Sequence, residues 1–434
     1  MRWRAEPHRK FLGAWQRLVG SLWFLPGLLV LILFALGIIL IDVSIVLDEA
    51  AARRFPALFA TSPQSARSVL AAISGSVITV AGVTFSVMVV AVSQASSQYT
   101  PRVLHNFMRD RVSQATLGML CGVFVYSLVV LRAIRTDGDS FVPAIAVNVA
   151  FAMAFSAVAL LMYFIHHIST TLEAGSIIAS VNAETIDAVD KLFPEELGDE
   201  PEADSPRPMD VRWSAVDTPR TGYIQYVDGE GLLKLADALK CTIRMQHGVG
   251  QFVIEGQPIA WVDADRLDAE ATASLQGLFD IATFRTVAQD PGFGIRQIVD
   301  IALKALSPSM NDATTAVTCV QYLTAIQLRL VRRRVPSQLR FKEGELRVIA
   351  CGPSFIDLLD QSFDEIVRAA AGNARVLTEL AASLARIAAW TRSPERRRHV
   401  ARQAVRVRSA MKSDPALERE CAEGLAACAR VAQE

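Results

Sequence analysis

Four long apolar runs in the first part of this chain constrain its fold more than any other feature. They lie at 25–47, 69–92, 115–131 and 142–165, and the helical pattern of the second continues to about residue 99. A hydrocarbon core of about 30 Å takes roughly 20 helical residues to cross. In lipid every backbone group must find its partner within the segment, so runs of this kind are expected to be membrane-spanning helices. The third run is the shortest of the four. The first is too long for the apolar core of a signal peptide, and Trp15 and Trp23 before it suit an interfacial anchor.

Cations near the ends of the runs predict the orientation. Arg2, Arg4, Arg9, Lys10, Arg17, Arg102, Arg109 and Arg111 fall on one side, and Arg53, Arg54, Arg67, Arg132 and Arg135 on the other. An even number of crossings returns the chain to its starting side. Both termini are therefore expected in the cytoplasm, with the protein in the plasma membrane.

Composition narrows the classes further. With 52% hydrophobic and 20% charged residues, the chain is too apolar to be disordered. Its 44 basic and 44 acidic residues cancel, so no global field recruits nucleic acid. Cys121, Cys241, Cys319, Cys351, Cys421 and Cys428 are scattered without close pairs. That pattern fits neither a disulfide framework nor a zinc site, and suits a reducing compartment. No cofactor or metal is expected.

The expected organisation is a basic N-terminus (1–23), a four-helix transmembrane domain (24–167), an amphipathic stalk helix and acidic linker (168–219), a small β-rich subdomain (220–263) and a mainly helical domain (264–434). The stalk is expected because Ile168, Leu172, Ile177, Val181, Ile186 and Val189 keep helical spacing beyond the fourth run. Residues 195–210 form an acidic, proline-containing stretch that reads as loop. Gly248, Gly250 and Gly256 punctuate strand-like pieces whose phrasing resembles half of a biotinyl-type sandwiched barrel, without its lysine. Helices are expected near 266–281, 295–306, 313–333, 355–371, 374–390 and 395–411, with a strand at 346–350. The fold class is thus an α-helical membrane protein followed by a mixed α/β, mostly helical cytoplasmic region.

Within the second run, Gly75, Thr79, Gly82, Ser86, Ser93 and Ser97 recur at steps of four, three, four, seven and four. They form one stripe of small and hydroxyl residues on a helix. Such a stripe suits close helix packing, because small residues let backbones approach. It equally suits a pore lining when several copies surround an axis. Pro101 follows, with Arg102, His105, Arg109 and Arg111 making a positive collar that His166 and His167 are expected to join. Positive-inside anchoring explains the collar, and an anion-attracting or lipid-contacting mouth is the functional alternative. In the second half, Asp290-Pro291-Gly292 is turn chemistry. Arg296, Asp300 and Lys304 share a helix face, and Asn311 or Asp312 can cap the next helix. Capping explains this motif, and ligand sensing is its functional alternative. The helix at 395–411 is rich in arginine and reads as a solvated basic surface. No G-x-S-x-G, H-E-x-x-H or complete P-loop occurs.

The segments SQASSQYTPRVL, FIHHI and QDPGFGIRQIVDIALKALSPSMNDATTA are together similar to those of a bacterial membrane-protein family, domain of unknown function 2254. The resemblance spans most of 20–410 and implies membrane location and this architecture, but no activity. Where the family has a proline after the asparagine–aspartate pair, this chain has Ala313, which implies a looser turn. The leading expectation is an oligomeric ion channel or pore gated by its cytoplasmic domain. The alternative is a non-conducting scaffold or sensor that binds a ligand or protein partner, and a membrane enzyme ranks third. The expected partners are membrane lipid, further copies of the chain, and ions or a small ligand.

Overall fold

The computed structural model describes residues 23–54, 62–98, 110–135, 141–171, 173–193, 212–264, 267–333, 338–411 and 415–431. The chain divides into two compact units, Met1–Glu173 and Ala174–Glu434.

Among its described residues the first unit holds four helices long and apolar enough to cross a membrane: α1 (Phe24–Arg54), α2 (Pro63–Gln98), α3 (Arg111–Ala133) and α4 (Ala144–Thr171). The weakest sequence signal, α3, is the centre of the bundle. It packs against all three others, and 56% of its apolar window is buried, against 22% or less elsewhere. Its modest hydropathy follows from that position, since Gly118, Gly122, Thr116 and Ser127 meet protein instead of lipid. A Cβ on Gly118 would lie 2.8 Å from the Pro26 backbone, and one on Gly122 would run into Leu33. This Gly-x-x-x-Gly pair lets α1 and α3 approach closely. Tyr126 is wholly buried and its hydroxyl donates to the Ala146 carbonyl at 2.9 Å, tying α3 to α4.

The expected stalk is two helices, not one. After Thr171 the chain bends at Glu173 and restarts as α5 (Ala174–Leu192). The apolar face of α5 has a partner. Ile177, Ile178, Val181, Ala188 and Val189 are buried, and α5 packs on α8 (Pro291–Ala305) and α9 (Ala313–Val331). The acidic stretch 195–210 lies outside the described residues.

The β-rich part is wider than expected. It comprises β1 (Ser214–Asp217), β2 (Gly222–Val227), α6 (Gly229–Ala238), β3 (Ile243–Met245), β4 (Phe252–Val253), β5 (Pro258–Val262), α7 (Ala269–Gln276) and β6 (Phe279–Ala282). The helix expected over 266–281 stops at Gln276, where Gly277 precedes a strand whose Phe279 and Ile281 point into the core. Two later strands, β7 (Leu339–Lys342) and β8 (Glu345–Ile349), complete a five-stranded sheet of order β1-β5-β3-β8-β7 beside a three-stranded sheet β4-β2-β6. β4 and β5 belong to different sheets, so the barrel-like phrase around Gly256 is not a hairpin. Ile224, Leu232, Ile243, Ile259, Val262, Leu275 and Ile281 form their shared core.

The rest is helical: α8, α9, α10 (Phe355–Ala369), α11 (Ala374–Trp390), α12 (Pro394–Met411), α13 (Pro415–Glu420) and α14 (Ala422–Val431). The basic α12 buries Val400, Gln403, Ala404 and Val407, while Arg398, Arg402, Arg406 and Arg408 are exposed and Arg406 pairs with Asp364. Asp190 of α5 holds Arg329 of α9 and Arg333 just beyond its end, each at 2.7 Å, and Arg333 also donates to the Phe193 carbonyl at 2.9 Å.

Candidate functional site

The stripe on α2 is defined first by what it does not touch. The helix buries Ala66, Leu70, Ser74, Val77, Ala81, Thr84 and Ala91. At 3.6 residues per turn these lie about half a turn from Gly75, Thr79, Gly82, Ser86 and Ser93, all of which are exposed. A Cβ on Gly75 or Gly82 would meet nothing within 4 Å. Among the described residues of the first unit, the stripe is therefore not a packing seam. Thr79, Gly82 and Ser86, with Val83, Val87 and Val90, form one open face of α2. Thr79 donates its hydroxyl to the Gly75 carbonyl at 2.8 Å and Ser86 to the Gly82 carbonyl at 2.9 Å. Both hydroxyls are thus satisfied in an apolar setting, and their oxygens present lone pairs outward. From Gly75 to Ser93 the stripe rises about 27 Å, close to the thickness of the hydrocarbon core. Ser97 lies in the last helical turn, and its side chain is outside the described residues.

Of the collar, Arg102, His105 and Arg109 lie outside the described residues. Arg111 opens α3, whose N-cap is Asp110. Asp110 accepts from the Ser113 amide at 2.9 Å, from the Ser113 hydroxyl, and pairs with His167 Nε2 at 3.0 Å. Burial alone raises its carboxyl, but the bonds from Ser113 and His167 outweigh this and hold it below the usual carboxylate range. His167, stacked on Tyr163, therefore clamps the end of α4 to the start of α3. His166 is exposed, so the two adjacent histidines do not share one site. Sequence reading passed over Asp110, although an aspartate just before an apolar helix is an N-cap signal. Among the described residues no group of three histidine, cysteine, aspartate or glutamate side chains is placed to hold a metal ion.

The motif at 290–312 does structural work in this fold. Asp290 caps α8 through the Phe293 amide at 3.0 Å and takes Arg285 Nε and Nη2 at 2.9 and 2.6 Å. Burial pushes the Asp290 carboxyl up in spite of Arg285. Gly250, at φ +85°, backs onto this pair, and a Cβ there would strike Asp290. Gly292 gives its carbonyl to Gln361 at 2.8 Å, and Gly294 is the point where Thr185 of α5 crosses α8. Arg296 bridges Asp300, at 2.6 Å, and Glu365 of α10, while Lys304 closes the last turn. Asn311 takes φ +46°, and Asp312 caps α9 through the Thr314 and Thr315 amides at 3.1 and 3.0 Å. The Asp312 amide reaches back to the Ala305 carbonyl at 2.8 Å, and Ala313 takes the first helical position, where proline is merely favoured.

Among the described residues, four helices long and apolar enough to cross a membrane, followed by a mostly helical region with a small sheet, are the architecture of a candidate membrane protein. The family described as "predicted membrane protein", domain of unknown function 2254, matches residues 19–386, and this chain belongs to it. Relatives named only as uncharacterized proteins occur in Mycobacterium bovis and Mycobacterium tuberculosis. Each is 32% identical over 425 residues, covering 96% of this chain and 81% of the relative. No solved structure matches the chain.

Proposed function

We propose that this is a bacterial inner-membrane protein, with both termini cytoplasmic, that assembles from several copies into an ion-conducting pore lined by α2 and gated by the second unit. One observation carries the reading. The stripe Gly75–Thr79–Gly82–Ser86–Ser93 turns away from its own bundle over about 27 Å. Around an axis, five positions of this kind give alternating hydroxyl and backbone-exposing levels, which water and ions tolerate. The outward lone pairs of Thr79 and Ser86 favour a cation over an anion. No charged ring is needed for conduction of this kind, only a lumen narrow enough for the hydroxyls to replace hydration.

A second reading has its own support. Because Thr79 and Ser86 already satisfy their hydroxyls on the helix, the stripe also suits a dry contact between copies in a non-conducting scaffold. Single-channel recording in planar bilayers separates the two. A pore gives unitary currents in the wild type that Ser86→Leu reduces or abolishes while the oligomer persists. A scaffold gives no current in either protein.

A further inference from the structure

At the centre of the five-stranded sheet one arginine is held in an unusual way. Arg244 belongs to β3, the middle strand, whose neighbours Ile243 and Met245 point into the core. Arg244 therefore points to the opposite face, where the register sets it beside Trp261 of β5, and Trp261 beside Ala215 of β1. Its guanidinium carbon stands 4.6 Å from the centroid of the Trp213 ring and 5.7 Å from that of Trp261. Both distances are within cation–π range. The Trp261 ring is fixed in turn, since its indole N–H donates to Gln246 Oε1 at 2.8 Å.

The two indoles hold the guanidinium but satisfy none of its N–H groups. Arg285, Arg296, Arg329 and Arg333 each lie on a carboxylate. Arg244, among the described residues, has no ion pair and no hydrogen bond beyond its ring contacts. Gln246 sits two residues along on the same exposed face. Its carbonyl oxygen is committed to Trp261, so the end it offers to solvent is the NH2 group, a pure donor. A stacked guanidinium fork and an amide donor on one face of the sheet match an oxyanion. Stacking between rings removes the rotamer freedom that a solvent-exposed arginine gives up on binding, which favours affinity at this point.

We propose that the outer face of this sheet, at Arg244 and Gln246 between Trp213 and Trp261, binds a phosphate group. The group is carried either by a soluble phosphorylated compound or by an anionic lipid headgroup. This site is independent of whether α2 lines a pore.

The full chain in nanodiscs tests it by hydrogen exchange of the β3 and β5 amides and by tryptophan fluorescence. In phosphatidylcholine discs, titration with inorganic phosphate is expected to slow exchange at 243–246 and 259–262 if the source is soluble. Discs containing phosphatidylglycerol, without added phosphate, are expected to give that protection if the source is lipid. In either case Arg244→Gln is expected to weaken the effect about 10- to 100-fold, the range of a lost charge-assisted contact. Arg244→Lys keeps the charge but loses the fork, and is expected to retain a weaker response. That variant keeps the test decisive if Arg244→Gln does not fold. Wild-type protein that responds in neither kind of disc overturns the proposal. So does a response that Arg244→Gln and Arg244→Lys leave unchanged.

Discussion

On α3, Gly118 and Gly122 sit one turn apart with the Pro26 backbone and Leu33 pressed onto them; on α2, Gly75 and Gly82 face nothing within 4 Å. The same residue type, on neighbouring helices of one bundle, thus meets two environments. On α3 the missing side chains are filled by another helix of the same chain, and their role is finished within the monomer. On α2 the corresponding surface has no partner among the described residues of its own unit. Small residues in a membrane helix acquire a meaning only once their partner, or its absence, is known.

The sharpest way to break this comparison is to add the same bulk to both helices. Gly118→Leu is expected to cost about 3 kcal/mol or more, because its Cβ meets backbone that cannot rotate away. The loss of melting temperature and of monodisperse yield in detergent measures it. Gly122→Leu is expected to cost less, about 1–2 kcal/mol, since the atom in its way is the tip of Leu33. Gly294→Ala carries the rule into the second unit. Thr185 blocks the new methyl, so a loss of about 1–3 kcal/mol is expected in the unfolding of that unit, partly recovered by adding Thr185→Ala.

Titration sharpens the same contrast, because the packed side of the bundle ends in an ionised clamp while the stripe carries no titratable group. The Asp110 carboxyl is held below its ordinary value, so the folded state binds fewer protons than the unfolded chain in that window. Its contribution is fully present above about pH 4, the unfolded value, and is lost as pH falls through the folded one. Asp110→Asn keeps the cap acceptor and is expected to flatten this acid limb in melting curves taken between about pH 2 and 5. The smallest expected effect falls on the stripe. Gly82→Leu and Ser86→Leu are expected to change monomer stability by no more than about 0.5 kcal/mol, the usual range for substitutions that touch nothing. An equal loss at Gly82 and Gly118 would erase the distinction.

The apolar helices were legible in the sequence because a bilayer imposes length and hydropathy directly. The order of burial among them was not. Residues 115–131 looked weakest because the central helix needs less lipid-facing surface, and the pair Gly118/Gly122 was the readable clue to that position. The sheets were half legible, since local alternation suggests strands but not partners. The parallel pairing of Ile243 with Val348 joins segments a hundred residues apart. The caps at Asp290 and Asp312 follow from local turn chemistry and were readable. Arg285 on Asp290, Asp190 under Arg329 and Arg333, and Arg244 between its tryptophans depend on tertiary placement, which spacing does not reveal. The stripe on α2 was visible as a pattern, but only the structure turned it away from the bundle.

Cysteine accessibility along α2 tests the central claim most directly. Single cysteines at Gly75, Thr79, Gly82 and Ser86, in a cysteine-free background reconstituted into liposomes, are exposed to a charged methanethiosulfonate reagent. Cysteines replacing Ser74, Val77 and Ala81 on the buried face serve as controls. Reaction at the four stripe positions and not at the controls is the predicted result. Stripe positions that ignore the charged reagent but react with a lipid-soluble maleimide would contradict the pore and leave α2 facing lipid.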